Sequence, residues 1–166
     1  MQKKVYGKYV LTGLTLLWMA IIFWFSAQPA VQSAGMSGGI IEKMKWFAND
    51  IPVVNQIFVS GLAEHILRKG AHVAEYAVLG ALLLLCVKQY LPEKEGRYQI
   101  VLACLLGVLY AASDEFHQTF VPGRSGEIKD VCIDSIGVVL GNLLIYAASI
   151  VKKCGKVEKE DRNTCI

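Results

Sequence analysis

Charge is what this chain has little of: 19% of its 166 residues are Asp, Glu, Lys or Arg, against 54% hydrophobic ones. A soluble domain of this length carries more charge and a less continuous apolar pattern. With a mean hydropathy of +0.43, a membrane protein is the starting class. The chain also lacks any CxxC spacing, and its 5 cysteines are an odd number, which argues against a closed disulfide framework, a zinc knuckle and a redox motif. Cys86, Cys104 and Cys132 fall in or beside apolar segments and suit packing. HExxH spacing, internal repeats and low-complexity blocks are absent too. The net charge of +3 resides mainly in the segment after Val151, a basic juxtamembrane stretch of the kind attracted to anionic lipid, so no nucleic-acid partner is expected.

What is present is a set of four apolar windows long enough to span a bilayer, about Tyr9–Ala27, Ala71–Val87, Tyr98–Ala112 and Val131–Val151. The third continues outward to about residue 117, so the predicted helices are about 9–27, 71–87, 98–117 and 131–151. The expected fold is an all-α bundle of four transmembrane helices, a membrane domain over 1–151 followed by a basic cytoplasmic tail over 152–166. Trp18, Trp24 and Phe25 are candidate interfacial anchors. The first window is read as an uncleaved anchor, because neither Gln28-Pro29-Ala30 nor Gln32-Ser33-Ala34 offers the small residue required three positions before a signal cleavage.

The distribution of lysine and arginine sets the orientation. Lys3, Lys4, Lys8, Lys88, Lys94, Arg97, Lys152 and Lys153 fall on one side, which is therefore expected to be cytoplasmic, with both termini inside. The connectors over 28–70 and 113–130 then face outward. Within the first, the apolar spacing over 36–47 and 53–67 predicts short amphipathic helices lying in the interface, separated at Ile51-Pro52.

Against this apolar background stands a polar tract, Ser113-Asp114-Glu115-Phe116-His117-Gln118, followed by Phe120-Val121-Pro122-Gly123-Arg124 and by Asp130 and Asp134. Ionisable groups beside lipid are expected to face one another or a watery cavity. On the second helix His72 and Glu75 are spaced i, i+3, and His72 and Tyr76 i, i+4, so they share a face. Asp114 stands i, i+3 from His117 and i, i+4 from Gln118. Asp130 and Asp134 share a face of the fourth helix, continued by Gly137 and Gly141, a small-xxx-small pair that admits a close neighbour. At this end Glu64, Glu75, Asp114, Glu115, Glu127, Asp130 and Asp134 outnumber Arg68, Lys69, Arg124 and Lys129 by three.

Three readings fit the cluster. The first is a structural clasp in which Arg124 and Lys129 pin helix ends and histidines complete hydrogen bonds. The second is catalytic: His72 or His117 as acid or base beside Glu75 and Asp114, with Arg124, Gln118, Lys69, Asp130 and Asp134 as substrate-binding groups and Arg124 holding an anion such as phosphate. The third gathers Glu75, Asp114, Asp130, Asp134 and a histidine around a divalent metal. No cofactor follows from the spacing itself, and the sequence leaves all three open.

These residues form ordered motifs. Phe25-Ser26-Ala27-Gln28-Pro29, then Arg68-Lys69-Gly70-Ala71-His72 with Glu75-Tyr76 and Leu79-Gly80, then the tract from Ser113 to Arg124, and Asp130, Asp134 and Gly137 closely resemble the VanZ-like family over nearly the whole chain. The resemblance implies a multi-pass protein of the bacterial cell membrane, of a type associated with resistance to the glycopeptide teicoplanin. Its expected partners are membrane lipids, a lipid-linked envelope precursor or the glycopeptide, and it carries no mechanism with it.

Overall fold

The computed structural model describes residues 2–33, 35, 38–39, 42–43 and 62–164. Among them no strand forms, and four long helices account for the fold: α1 (Gln2–Ser26), α2 (Leu62–Tyr90), α3 (Gly96–Gln118) and α4 (Ile128–Thr164). Each contains a segment long and apolar enough to cross a membrane, Tyr6–Ser26, His65–Tyr90, Gly96–Gln118 and Ile128–Lys152. Intrahelical pairing satisfies the backbone polar groups, as lipid requires. Leu105, Leu109, Phe116, Leu144 and many other apolar side chains are exposed on the outer surface, where lipid tails replace a protein partner.

The helices start and stop for local reasons. Between α2 and α3 the turn is closed by Leu91 N–H donating to the Val87 carbonyl (2.8 Å) and by Gln99 Nε2 donating to the Leu91 carbonyl (2.8 Å). Between α3 and α4, Pro122-Gly123 occupies the centre of a turn closed by Arg124 N–H on the Val121 carbonyl (3.1 Å), and Gly123 has φ +75°. Proline followed by a left-handed glycine is the signature of a type II turn. The Pro122 carbonyl also accepts Ala30 N–H (3.3 Å), tying this turn to the chain leaving α1.

Two boundaries differ from the sequence reading. The second helix begins at Leu62 rather than near residue 71, so 62–67, expected in an interfacial helix, forms its first turns. Polar groups at Arg68, Lys69 and His72 lower the local hydropathy without interrupting the helix, and Lys69 and His72 face Asp130 and Asp134 of α4. The amphipathic stretches over 36–47 and 53–61 lie almost wholly outside the described residues. At the other end α4 runs through the expected tail to Thr164, a segment rich in Lys and Glu, both good helix formers.

The most extensive helix contact is between α2 and α4, and its cause is glycine. A Cβ on Gly141 would run into the Ala77 carbonyl, one on Gly137 into Val73 and Tyr76, and one on Gly80 into the Val138 backbone. Val138 fills the space thus opened and its methyls also occupy the position a Cβ on Gly107 would take. Helix backbones can approach this closely only over small residues. Around Val138 the core gathers Ile22, Tyr76, Leu79 and Ala111. A second cluster, Leu84, Val87 and Ala103, fills the opposite end.

Side-chain hydrogen bonds to backbone hold α1 in place. Trp18 Nε1 donates to the Glu75 carbonyl (2.9 Å) and the Tyr110 hydroxyl to the Met19 carbonyl (2.6 Å). Trp18 therefore points into the bundle and is not an interfacial anchor, whereas Trp24 remains 58% exposed.

Candidate functional site

The end of α1, the start of α2, the end of α3 and the start of α4 meet at one end of the bundle, and the polar residues of the motifs collect there. Each arrives by helical geometry. On α3 one residue turns through about 100°, so Asp114 and Gln118 point together into the bundle, Glu115 turns toward α4 and His117 turns toward α1. Gln118 Nε2 donates to both Asp114 Oδ2 (3.2 Å) and Glu115 Oε1 (3.0 Å). Glu115 Oε2 accepts the Glu127 N–H (3.1 Å), while Gly126 packs against the Glu115 backbone so closely that a Cβ would collide. Glu115 thus fixes the loop that carries Arg124.

Arg124 bridges three parts of the chain. Its Nη1 donates to the Ser26 carbonyl and to Gln118 Oε1 (both 3.2 Å), and its Nη2 donates to the Ser33 hydroxyl (3.1 Å). All of these acceptors are neutral. Burial pulls the Arg124 pKa below the ordinary arginine value, and the nearby Asp114 charge opposes that shift; an arginine remains a cation regardless.

From α2, Lys69 Nζ reaches Asp130 Oδ1 in an ion pair, and His72 Nδ1 lies 3.3 Å from Asp134 Oδ1. Asp134 is fully buried, and the His72–Asp134 approach does not close a hydrogen bond. Tyr76, also fully buried, lies between Asp114 and Asp134. The Lys69 side chain is 37% exposed, so its pair is screened by solvent. We expect Lys69→Ala to lower stability by no more than about 1 kcal/mol, read as thermal unfolding of the purified protein in detergent.

Two adjoining cavities result. The first, of about 270 Å³, is lined by Ile22, Phe25, Ser26, Ser33, Leu67, Arg68, Ala71, His72, Glu75, Asp114 and Arg124. The second, of about 180 Å³, shares Ser33, Arg68, His72 and Arg124 and adds Lys69, Gln118, Ser125 and Asp130 among others. Of the residues singled out in the sequence, His72, Glu75, Asp114, Arg124, Gln118, Lys69 and Asp130 line one or both. Asp134 stands behind His72 without lining either. His117 is not brought in: its ring lies 4.4 Å from that of Phe23, and its Nε2 is buried without a partner.

Sequence reasoning gave no site role to Arg68 or Tyr76, and none to Glu115, which orders the loop. Motif membership of Arg68 and the i, i+4 spacing of Tyr76 from His72 were the available signals. Ser26 joins the site and Gln28 does not, its Nε2 folding back onto the Trp24 carbonyl (2.9 Å). Among the described residues no three His, Cys, Asp or Glu side chains converge as a metal-binding group. Asp130 is taken by Lys69 and one oxygen of Asp114 by Gln118, and the four acids of the divalent-metal reading do not gather into one ligand set.

Fold and site together define a multi-pass helical membrane protein with a charged cavity at one end of its bundle. The VanZ/LLP1 family matches residues 11–151, and the chain belongs to that family. No curated protein and no solved structure is similar enough to the chain to match it.

Proposed function

We propose that the protein binds or acts on an anionic lipid or lipid-linked precursor at the outer face of the bacterial cell membrane, and through it contributes to glycopeptide (teicoplanin) resistance. The observation that carries this reading is the mixed lining of the first cavity. Ile22, Phe25, Leu67 and Ala71 supply the apolar part of its wall, and Arg68, Arg124 and His72 the basic part. A ligand matching it has an apolar stem and an anionic head. Lysine and arginine asymmetry supports an outward-facing cavity with both termini in the cytoplasm. The family membership supports the envelope setting.

His72, Glu75 and Asp114 are the groups positioned for proton transfer, with Asp134 3.3 Å behind His72. Arg124, Gln118, Lys69 and Asp130 are positioned for binding. The competing reading, a structural clasp with drug access reduced by binding or scaffolding, has the Lys69–Asp130 pair and the Glu115 contacts in its favour.

Teicoplanin susceptibility of cells expressing each variant separates the two. Arg124→Lys removes the planar fork while keeping the charge, and Asp114→Asn keeps the shape. Both are expected to lose protection at unchanged membrane abundance, whereas His117→Phe, outside the cavities, keeps it. Full protection from the first two at normal abundance would remove the cavity from the account.

A further inference from the structure

The first cavity is not uniformly cationic. Asp114 and Glu75 line it together with Arg68 and Arg124. Asp114 is 3% exposed, and while its Oδ2 accepts from Gln118, its Oδ1 closes no hydrogen bond, although Ser26 and Tyr76 lie beside it. The Ser26 hydroxyl, also buried, is unpartnered as well. A buried carboxylate oxygen without a donor is costly, and more so for a charged group. The hydrogen bonds of Arg124 go to neutral acceptors, so among the described residues its charge is not consumed by a direct ion pair.

A purely anionic ligand would suit the positive charge of the arginines but set a second negative charge against Asp114 and Glu75. Resting on the lipid-headgroup reading above and narrowing its anionic head to a phosphate that carries its own counter-charge, we infer that the cavity selects a zwitterionic headgroup, a phosphate carrying a primary ammonium. The phosphate lies toward Arg68 and Arg124, where a guanidinium fork matches its oxygens. The ammonium lies toward Asp114 and Glu75 and supplies N–H donors, three on a primary ammonium. A quaternary ammonium of the choline type has none to give Asp114 Oδ1. The first methylenes of the acyl chains run along Phe25, Leu67 and Ala71. No bond is made or broken in this step, which is recognition alone.

The test uses the full chain purified in detergent and exchanged against equimolar phosphatidylethanolamine, phosphatidylglycerol, phosphatidylcholine and diacylglycerol. Retained lipid is read by native mass spectrometry. Phosphatidylethanolamine is expected to be enriched about tenfold over phosphatidylglycerol and phosphatidylcholine, the factor one charge-assisted hydrogen bond supplies. Asp114→Asn should erase that preference while the three phosphate lipids stay bound; Arg124→Gln should lose all three. Melting temperatures within a few degrees of wild type qualify a variant, and Glu75→Gln replaces Asp114→Asn if the latter fails to fold. Equal or preferential retention of phosphatidylglycerol by the wild type would overturn the zwitterion assignment and leave the anionic-lipid reading standing. Retention of no phospholipid above diacylglycerol would overturn both. Soluble phosphoethanolamine displacing the lipid at equal concentration would overturn the lipid source, since the apolar wall would then contribute nothing.

Discussion

Gly141→Leu is expected to destabilise the protein by about 3 kcal/mol or more, the upper end of overpacking penalties. Even the first carbon of the new side chain falls on the Ala77 carbonyl of α2, and a carbonyl in a helix backbone cannot rotate aside. Because α4 and α2 share the most extensive interface of the bundle, the helices must separate or slide. Sliding would also displace Val138 from its seat against Gly80 and Gly107. The measurement is thermal unfolding with monodispersity by size exclusion in detergent. Gly13→Leu is the control, since nothing lies within 4 Å of a Cβ there; that variant should be unchanged or slightly stabilised, as leucine outranks glycine in helices. Equal effects at the two positions would deny that glycine sets the α2–α4 distance.

The second large effect concerns His72. Replacing it with leucine strands Asp134, which is fully buried and has His72 at 3.3 Å. Removing one partner of a buried ionic pair commonly costs about 3 to 5 kcal/mol, whereas replacing both by apolar groups is often neutral. His72→Leu is therefore expected to melt far below wild type, and His72→Leu with Asp134→Leu to recover most of the loss. The double variant also separates the two functional readings. It keeps the bundle clasped through apolar contact, so a structural role predicts retained protection, while a working His72 predicts a folded protein with none.

Much of the architecture is legible in the sequence because lipid imposes simple rules: length and hydropathy place the spans, and Gly137 and Gly141 mark a close helix contact. The polar tract is legible for the same reason, being costly anywhere except against other polar groups. What the sequence does not show is rotation. His72 and His117 occupy equivalent-looking motif positions, and i, i+3 spacing leaves an offset of about 60° whose direction depends on how α3 is rotated in the bundle. That rotation places His117 against Phe23, outside the cavity that His72 lines. Similarly, Asp130 and Asp134 share a face, but only the deeper one is sealed off from solvent, because α2 crosses over it. The role of Glu115 in ordering the Arg124 loop depends on the Glu127 backbone N–H, a contact no side-chain pattern announces. Trp18 shows the converse error, an aromatic in the interior of α1 that satisfies its N–H on the Glu75 carbonyl inside the bundle instead of at the headgroups.

A role on envelope lipids requires above all that the cavity open to the outside of the cell. Ser125, exposed in the loop and lining the second cavity, reports this directly when replaced by cysteine in a chain whose 5 native cysteines have been replaced. A membrane-impermeant thiol reagent applied to intact cells should label Ser125→Cys and leave Glu95→Cys, in the opposite turn, unlabelled until lysis. Labelling of Ser125→Cys only after lysis, with Glu95→Cys reacting from outside, would invert the topology and contradict an envelope-facing site.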